Sequence, residues 1–309
     1  MTYVYMSKIA LIGYGTWGKA MLKVISLVKT NKEIIIYSRQ NVEFVLESAR
    51  NITNERKVAV TNNLVEAIEK SDVSVIATRA QEVSNLISEL EKHGKKFKDC
   101  IITSKGFSAN GSLLSDEIND FVAGNLAIIS GPNFASEIAE DKITLSTIAS
   151  TNAIKFKKLF DSNNFKTETC DDIIGVQVCS ILKNIFAIGC GIVVGAFNSE
   201  NTKAAFITKA FRELTILIES FGGQKETIYT VAGIGDLMLT CYSRISRNHE
   251  FGYKFITNSL EEEIGTVEGL SSLEVLQSKF GCNAPLCKGI YDLLHRKINV
   301  EEFGRIIIS

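Results

Sequence analysis

The sequence predicts two domains: an α/β domain over residues 1–170 built on a doubly wound sheet, and an all-α domain over residues 171–309. Three observations carry this. Short apolar runs alternate with stretches of helical spacing through the first half. A glycine-rich hexapeptide follows the first run directly. After about Asp171 the strand signals stop and long helical patterns take over.

The apolar runs lie at 8–13, 33–38, 57–61, 73–78, 100–103 and 126–130, with two more at 143–150 and 164–169. Most are nearly continuous in Ile, Val and Ala, as expected of strands buried on both faces of a parallel sheet. Residues 64–70 and 81–92 show helical spacing, with Val83, Leu86, Ile87 and Leu90 on one face. Strand, helix, strand in series is the βαβ pattern of a doubly wound sheet.

Residues 173–197 form the most apolar stretch, long enough on length alone to span a membrane. Lys183 and Asn184 sit at its centre, and its longest run without a polar side chain, 185–197, is too short to cross. It reads instead as a helix buried through a helical domain, interrupted by its glycines, with a charged residue placed inside. Further helices are expected at 203–221, 228–232, 248–257, 271–280 and 285–294.

Thirty-four Lys and Arg against 35 Asp and Glu give a net charge of −1, which excludes nucleic-acid binding by bulk positive charge. Hydrophobic content of 45% with 22% charged residues excludes disorder. Residues 1–7 show no basic segment ahead of an apolar core, so no secretory signal is expected. The seven cysteines, Cys100, Cys170, Cys179, Cys190, Cys241, Cys282 and Cys287, include no C-x-x-C pair. They read as buried thiols in a reducing cytoplasm, with neither a disulfide framework nor a metal site.

Gly13-Tyr14-Gly15-Thr16-Trp17-Gly18 is a G-x-G-x-x-G between a strand and a helix. Gly13 permits the tight turn, Gly15 lets a pyrophosphate approach the backbone, and Gly18 lets helix and strand pack closely. This makes the first domain Rossmann-like and its ligand a dinucleotide. The second strand ends Tyr37-Ser38-Arg39, where an NAD site usually has an acidic residue. Arg39 suits the 2′-phosphate of NADPH or is a solvated arginine at a strand end; NADPH is favoured and NADH stays open.

Hydride transfer to a ketone builds negative charge on oxygen, so a cation or proton donor must sit about 3 Å away. None of His93, His249 and His295 is well placed, which leaves lysine. Lys183 lies between Ile181-Leu182 and Ile185-Phe186; burial would lower its pKa and a carboxylate would raise it. Lys105 follows a strand at the sheet's carboxyl edge, where open α/β folds bind ligands. Asp236 is either a helix N-cap or a site carboxylate.

Further blocks match one family in order along the whole chain: Ser104-Lys105-Gly106, Ser130-Gly131-Pro132-Asn133-Phe134-Ala135, Leu182-Lys183-Asn184, Asn201-Thr202-Lys203, Gly235-Asp236-Leu237, Leu239-Thr240-Cys241, Ser246-Arg247-Asn248 and Val267-Glu268-Gly269. Together they resemble the bacterial NAD(P)-dependent sn-glycerol-3-phosphate dehydrogenases. The resemblance implies reduction of dihydroxyacetone phosphate to sn-glycerol 3-phosphate for phospholipid synthesis. It implies Lys183 as general acid/base, with Lys105, Asn184, Asp236 and Thr240 around the reacting carbons. It implies substrate contacts from Gly131, Asn133, Ser246, Arg247 and Asn248, and a cofactor lining of Thr16, Trp17, Arg39, Lys105, Ala135, Arg247, Thr266 and Glu268. The chain departs from the family's usual residues at Thr16, Trp17, Thr78-Arg79, Asn133 and Thr266.

Two other classes fit the architecture: another two-domain reductase, such as a ketopantoate reductase, and a non-catalytic nucleotide sensor. The oligomeric state, a homodimer included, is left open by the sequence.

Overall fold

The computed structural model describes residues 8–28, 33–53, 57–259, 265–280 and 284–309. Residues 1–7 and Cys282 therefore lie outside the described residues. The chain divides into two units, one comprising Met1–Ser104 and Ser108–Ile173, the other Lys105–Phe107 and Ile174–Ser309.

The first unit runs β1 (Lys8–Ile12), α1 (Thr16–Leu27), β2 (Glu33–Tyr37), α2 (Val42–Thr53), β3 (Val58–Thr61), α3 (Leu64–Glu69), β4 (Val73–Ile76), α4 (Val83–Lys92), β5 (Asp99–Ile102), α5 (Leu114–Ile118), β6 (Leu126–Ser130), α6 (Ala135–Ala139), β7 (Thr144–Ala149), α7 (Ala153–Phe160) and β8 (Phe165–Cys170). The strands form one eight-stranded sheet in the order β3-β2-β1-β4-β5-β6-β7-β8. Residues of β1 alternate between its faces: Ile9 and Leu11 join the larger core with Met21, Leu22 and Ile25 of α1, while Ala10 packs with Ile35 and Ala67.

The sheet is mixed rather than wholly parallel. β6 and β7 pair antiparallel, Ile128 opposite Ala149, and β7 and β8 then run parallel to each other. Strand direction leaves no mark on a run buried on both faces, because such a strand is apolar whichever way it points. Residues 131–143 join the two strands with only the five-residue α6 between them, and the chain re-enters the sheet from the same end.

The second unit contains α8 (Ile173–Phe197), α9 (Glu200–Ser220), α10 (Asp236–Tyr242), α11 (Arg247–Ile256), α12 (Glu268–Val275), α13 (Pro285–Leu294) and α14 (Val300–Ile308). The expected helix at 228–232 is instead a 3₁₀ turn, Lys225–Tyr229, followed by a π turn, Val231–Gly235, that leads into α10. The expected helix at 271–280 begins earlier, at Glu268, and closes in a π turn.

α8 is continuous for 25 residues, so its glycines do not interrupt it. They let other backbones come close. A methyl group on Gly191 would lie 2.0 Å from the His249 carbonyl oxygen, and one on Gly252 would lie 2.0 Å from that of Ile188. α8 and α11 therefore cross with their backbones nearly touching. α8 is long and apolar enough to cross a membrane by composition, yet 89% of its most apolar window is buried within the protein. Gln177, Ser180, Lys183 and Asn184 are buried along it, so it is a core helix carrying a polar stripe.

The segment Lys105–Phe107 is grouped with these helices. Phe107 stacks on Phe280 with ring centroids 5.5 Å apart and lies 6.2 Å from Phe221.

Candidate functional site

In the first unit the glycine turn has the shape its motif implies. Gly13 adopts φ +105°, open to glycine at little cost. A methyl group on Gly18 would lie 2.2 Å from the Gly13 carbonyl oxygen, so the start of α1 is pressed onto the turn. Gly15 differs: a methyl group there would meet nothing within 4 Å. The first turn of α1 has neither a side-chain cap nor an acidic residue. Its N–H groups and partial positive charge face open space above Gly15, which fits the pyrophosphate of a dinucleotide.

Trp17, Asn133 and Arg39, also expected in this unit, have local partners. The Trp17 indole N–H donates to Thr103 Oγ1 at 2.8 Å. Asn133 Nδ2 donates to Ser146 Oγ at 3.1 Å, and a methyl group on Gly131 would lie 2.9 Å from Ser146 Cα. Thr16 is the exposed first residue of α1, and Ala135 opens α6 half-buried. Arg39 is neither lone nor solvated only, since Nη2 lies 3.1 Å from Glu82 Oε2.

In the second unit three charged side chains converge. Asp236 is the first residue of α10, after a Gly235 N-cap, and its side chain is 1% exposed. It is therefore a buried carboxylate and not the helix cap. Asp236 Oδ1 accepts from Lys183 Nζ, and Oδ2 lies 3.1 Å from Lys105 Nζ. Thr240, one turn along α10, donates from Oγ1 to the Asp236 carbonyl at 2.6 Å. Burial pushes the Lys183 pKa down; the Asp236 charge opposes this and the Lys105 charge reinforces it, leaving it at about 7. Such a lysine can exchange its proton near neutral pH.

Beside this trio runs a chain of amides. The Gly269 backbone N–H donates to Asn248 Oδ1 at 2.9 Å, and Asn248 Nδ2 donates to Asn184 Oδ1 at 3.0 Å. Asn184 Nδ2 is buried with no hydrogen-bond partner. The chain thus fixes which end of Asn184 is presented: a pair of N–H donors, next in sequence to Lys183, awaiting an acceptor. A methyl group on Gly269 would lie 2.6 Å from the Asn184 carbonyl oxygen, so only glycine fits there. Ser246 caps α11 by accepting from the His249 N–H, which puts exposed Arg247 and buried Asn248 in the helix's first turn. Thr266 is exposed and Glu268 half-buried at the start of α12.

The structure brings together Lys105, Lys183, Asn184, Asp236, Thr240 and Asn248, and it groups the glycine turn with Arg39 in the other unit. The link from Gly269 to Asn184 escaped the sequence reading, as did Glu82. Among the described residues no group of three or more His, Cys, Asp or Glu side chains gathers as a metal site.

A dinucleotide turn on a mixed sheet and a buried, carboxylate-paired lysine on a helical unit define a two-domain NAD(P)-dependent oxidoreductase. Residues 8–155 match the family model described as NAD-dependent glycerol-3-phosphate dehydrogenase N-terminus, and residues 172–305 match that of its C-terminus. The chain belongs to this glycerol-3-phosphate dehydrogenase family. It is 33% identical to a glycerol-3-phosphate dehydrogenase [NAD(P)+] of Legionella pneumophila, covering 97% of each chain. It is 31% identical to one of Mycoplasma mobile over 96% of this chain and 95% of that one. The crystal structure of a Coxiella burnetii glycerol-3-phosphate dehydrogenase superposes with a TM-score of 0.84 at 25% identity, covering 98% and 99% of the two chains.

Proposed function

We propose that the protein catalyses the reversible NAD(P)H-dependent reduction of dihydroxyacetone phosphate to sn-glycerol 3-phosphate, supplying phospholipid synthesis in the cytoplasm. The observation that carries this reading is Lys183, buried and paired with Asp236, beside the unpartnered amide of Asn184. The reduced nicotinamide supplies the hydride. As negative charge grows on the carbonyl oxygen, the Lys183 ammonium stabilises it and then donates its proton there. Asp236 holds Lys183 in place through one oxygen and Lys105 through the other, so two cations face the developing charge. The Asn184 N–H donors bind a substrate oxygen. Arg247, at the N-terminus of α11, grips the phosphate, because a planar guanidinium can hold two of its oxygens and the helix end favours an anion. Arg39 recognises the 2′-phosphate, which favours NADPH.

The test is the loss of NADPH or NADH absorbance with dihydroxyacetone phosphate, each cofactor in a separate assay. Turnover, with unphosphorylated dihydroxyacetone a poor substrate, is expected. Binding of NADPH without turnover would point to a nucleotide sensor, and preference for a ketoacid to another reductase.

A further inference from the structure

Two arginines flank one carboxylate at the carboxyl ends of β2 and β4, the two strands either side of β1. Arg39 follows β2 and lies 3.1 Å from Glu82 Oε2; Arg79 follows β4 and lies 3.4 Å from Glu82 Oε1. Strand β1 lies between β2 and β4 and runs into the glycine turn. A methyl group on Gly13 would lie 2.9 Å from both the Ala77 carbonyl oxygen and Thr78 Cγ2. The segment that carries Arg79 is thus pressed against the turn that fits the pyrophosphate.

The charges decide what the cluster prefers. Arg39 with Glu82 alone would be neutral, and would gain little by taking a phosphate in place of a ribose hydroxyl. Arg79 leaves the three with a net positive charge. Both guanidiniums are mostly exposed, 71% and 63%, and exposed ion pairs are worth about 0–1 kcal/mol. Glu82 therefore releases either arginine to a stronger acceptor at small cost, and a phosphate monoester with a charge of about −1.5 to −2 is one.

We propose that Arg79 is a second guanidinium for the 2′-phosphate of NADPH, and that Glu82 is the counter-ion both arginines leave when it binds. With NADH the Glu82 carboxylate accepts from the ribose 2′-hydroxyl instead, so the three residues together set the ratio of the two affinities. The proposal rests on the assignment of Arg39 to the 2′-phosphate made above.

Trp17, the one tryptophan in the chain, sits in the glycine turn and reports binding without substrate or turnover. NADPH and NADH are titrated into the wild type, Arg39→Ala, Arg79→Ala and Glu82→Gln, following Trp17 fluorescence. Arg79→Ala is expected to raise the NADPH Kd at least about tenfold, as a charge-assisted contact predicts, and to change the NADH Kd less than about threefold. It should also flatten the salt dependence of NADPH binding. Glu82→Gln should tighten NADPH and weaken NADH. If Arg39→Ala weakens NADPH while Arg79→Ala leaves it unchanged, or weakens both cofactors alike, this inference falls and the Arg39 assignment stands. If Arg39→Ala leaves NADPH unchanged, the assignment it rests on falls as well. Arg39 and Arg79 are exposed and Glu82 is partly buried, with only weak surface ion pairs to lose, so melting curves should match wild type.

Discussion

Lys183 and Asp236 meet inside the helical unit with side chains 8% and 1% exposed, and the second oxygen of the same carboxylate takes Lys105. One aspartate thus holds two lysines out of water. Two cations with one anion leave a net positive charge in a place where water screens it poorly.

The pH dependence of the reaction follows. In the proposed role Lys183, at about 7, is protonated to reduce the ketone and neutral to oxidise the alcohol. kcat for reduction should be full below that pH and fall as pH rises through it, while kcat for oxidation rises over the same interval. Lys183→Ala should lose at least about 10³ in kcat and keep NADPH binding, because the glycine turn belongs to the other unit. A folded Lys183→Ala enzyme within tenfold of wild type would refute the role; its melting curve shows whether it is folded.

Asp236→Asn removes the counter-charge and leaves both lysines. The influence that raises the Lys183 pKa disappears, while burial and Lys105 continue to lower it. The falling limb of the reduction profile should move to lower pH, and stability should drop by about 3–5 kcal/mol, the cost of breaking a buried pair. Stopped-flow rates across pH and a urea melt read the two effects. An unmoved limb would mean that Asp236 does not set the charge of Lys183.

Asn248→Ala cuts the amide chain at its middle. The Gly269 N–H loses its acceptor and the Asn184 amide is no longer held one way round. The expected loss is about 10–100-fold in kcat/KM for dihydroxyacetone phosphate, with the NADPH Kd unchanged. Unaltered kcat/KM would show that the orientation of Asn184 is irrelevant to turnover.

Gly15→Val separates binding from folding. The backbone at Gly15 is extended, with φ −78° and ψ −171°, and a methyl group there would meet nothing within 4 Å. The melting temperature should stay at the wild-type value while both NADPH and NADH weaken at least about tenfold, because the new methyl groups fill the space for the pyrophosphate. Normal affinity for both would place the cofactor elsewhere.

Much of this was legible in the sequence because burial writes itself into composition. The interior strands were readable from unbroken Ile and Val, and α8 from its length. Asn299 and Glu302 form a capping box that starts α14, a signal present in the sequence and passed over. α2 was missed because its buried residues, Val45, Ala49 and Thr53, make a thin stripe in an otherwise polar segment. The site was half legible. Lys183 stands out as a charge in an apolar run, whereas Asn184 and Asn248 are 64 residues apart and nothing local links them. The same holds for Glu82, an ordinary surface glutamate until the fold sets it between two arginines.

Lys105 sits between two stretches of the sheet-bearing unit in sequence, yet it is grouped with the helices and reaches a carboxylate 131 residues further on. Inheritance and geometry therefore divide differently. A chimera of two relatives joined anywhere between Phe107 and Ile173 would take one lysine from the first parent and the aspartate with the other lysine from the second. Their spacing would then have to agree between lineages that never evolved together. The helical half made alone would carry the aspartate with only one of its two cations. Recombination at the apparent seam, usually the safest place to splice two domains, here cuts through the charge balance of the site.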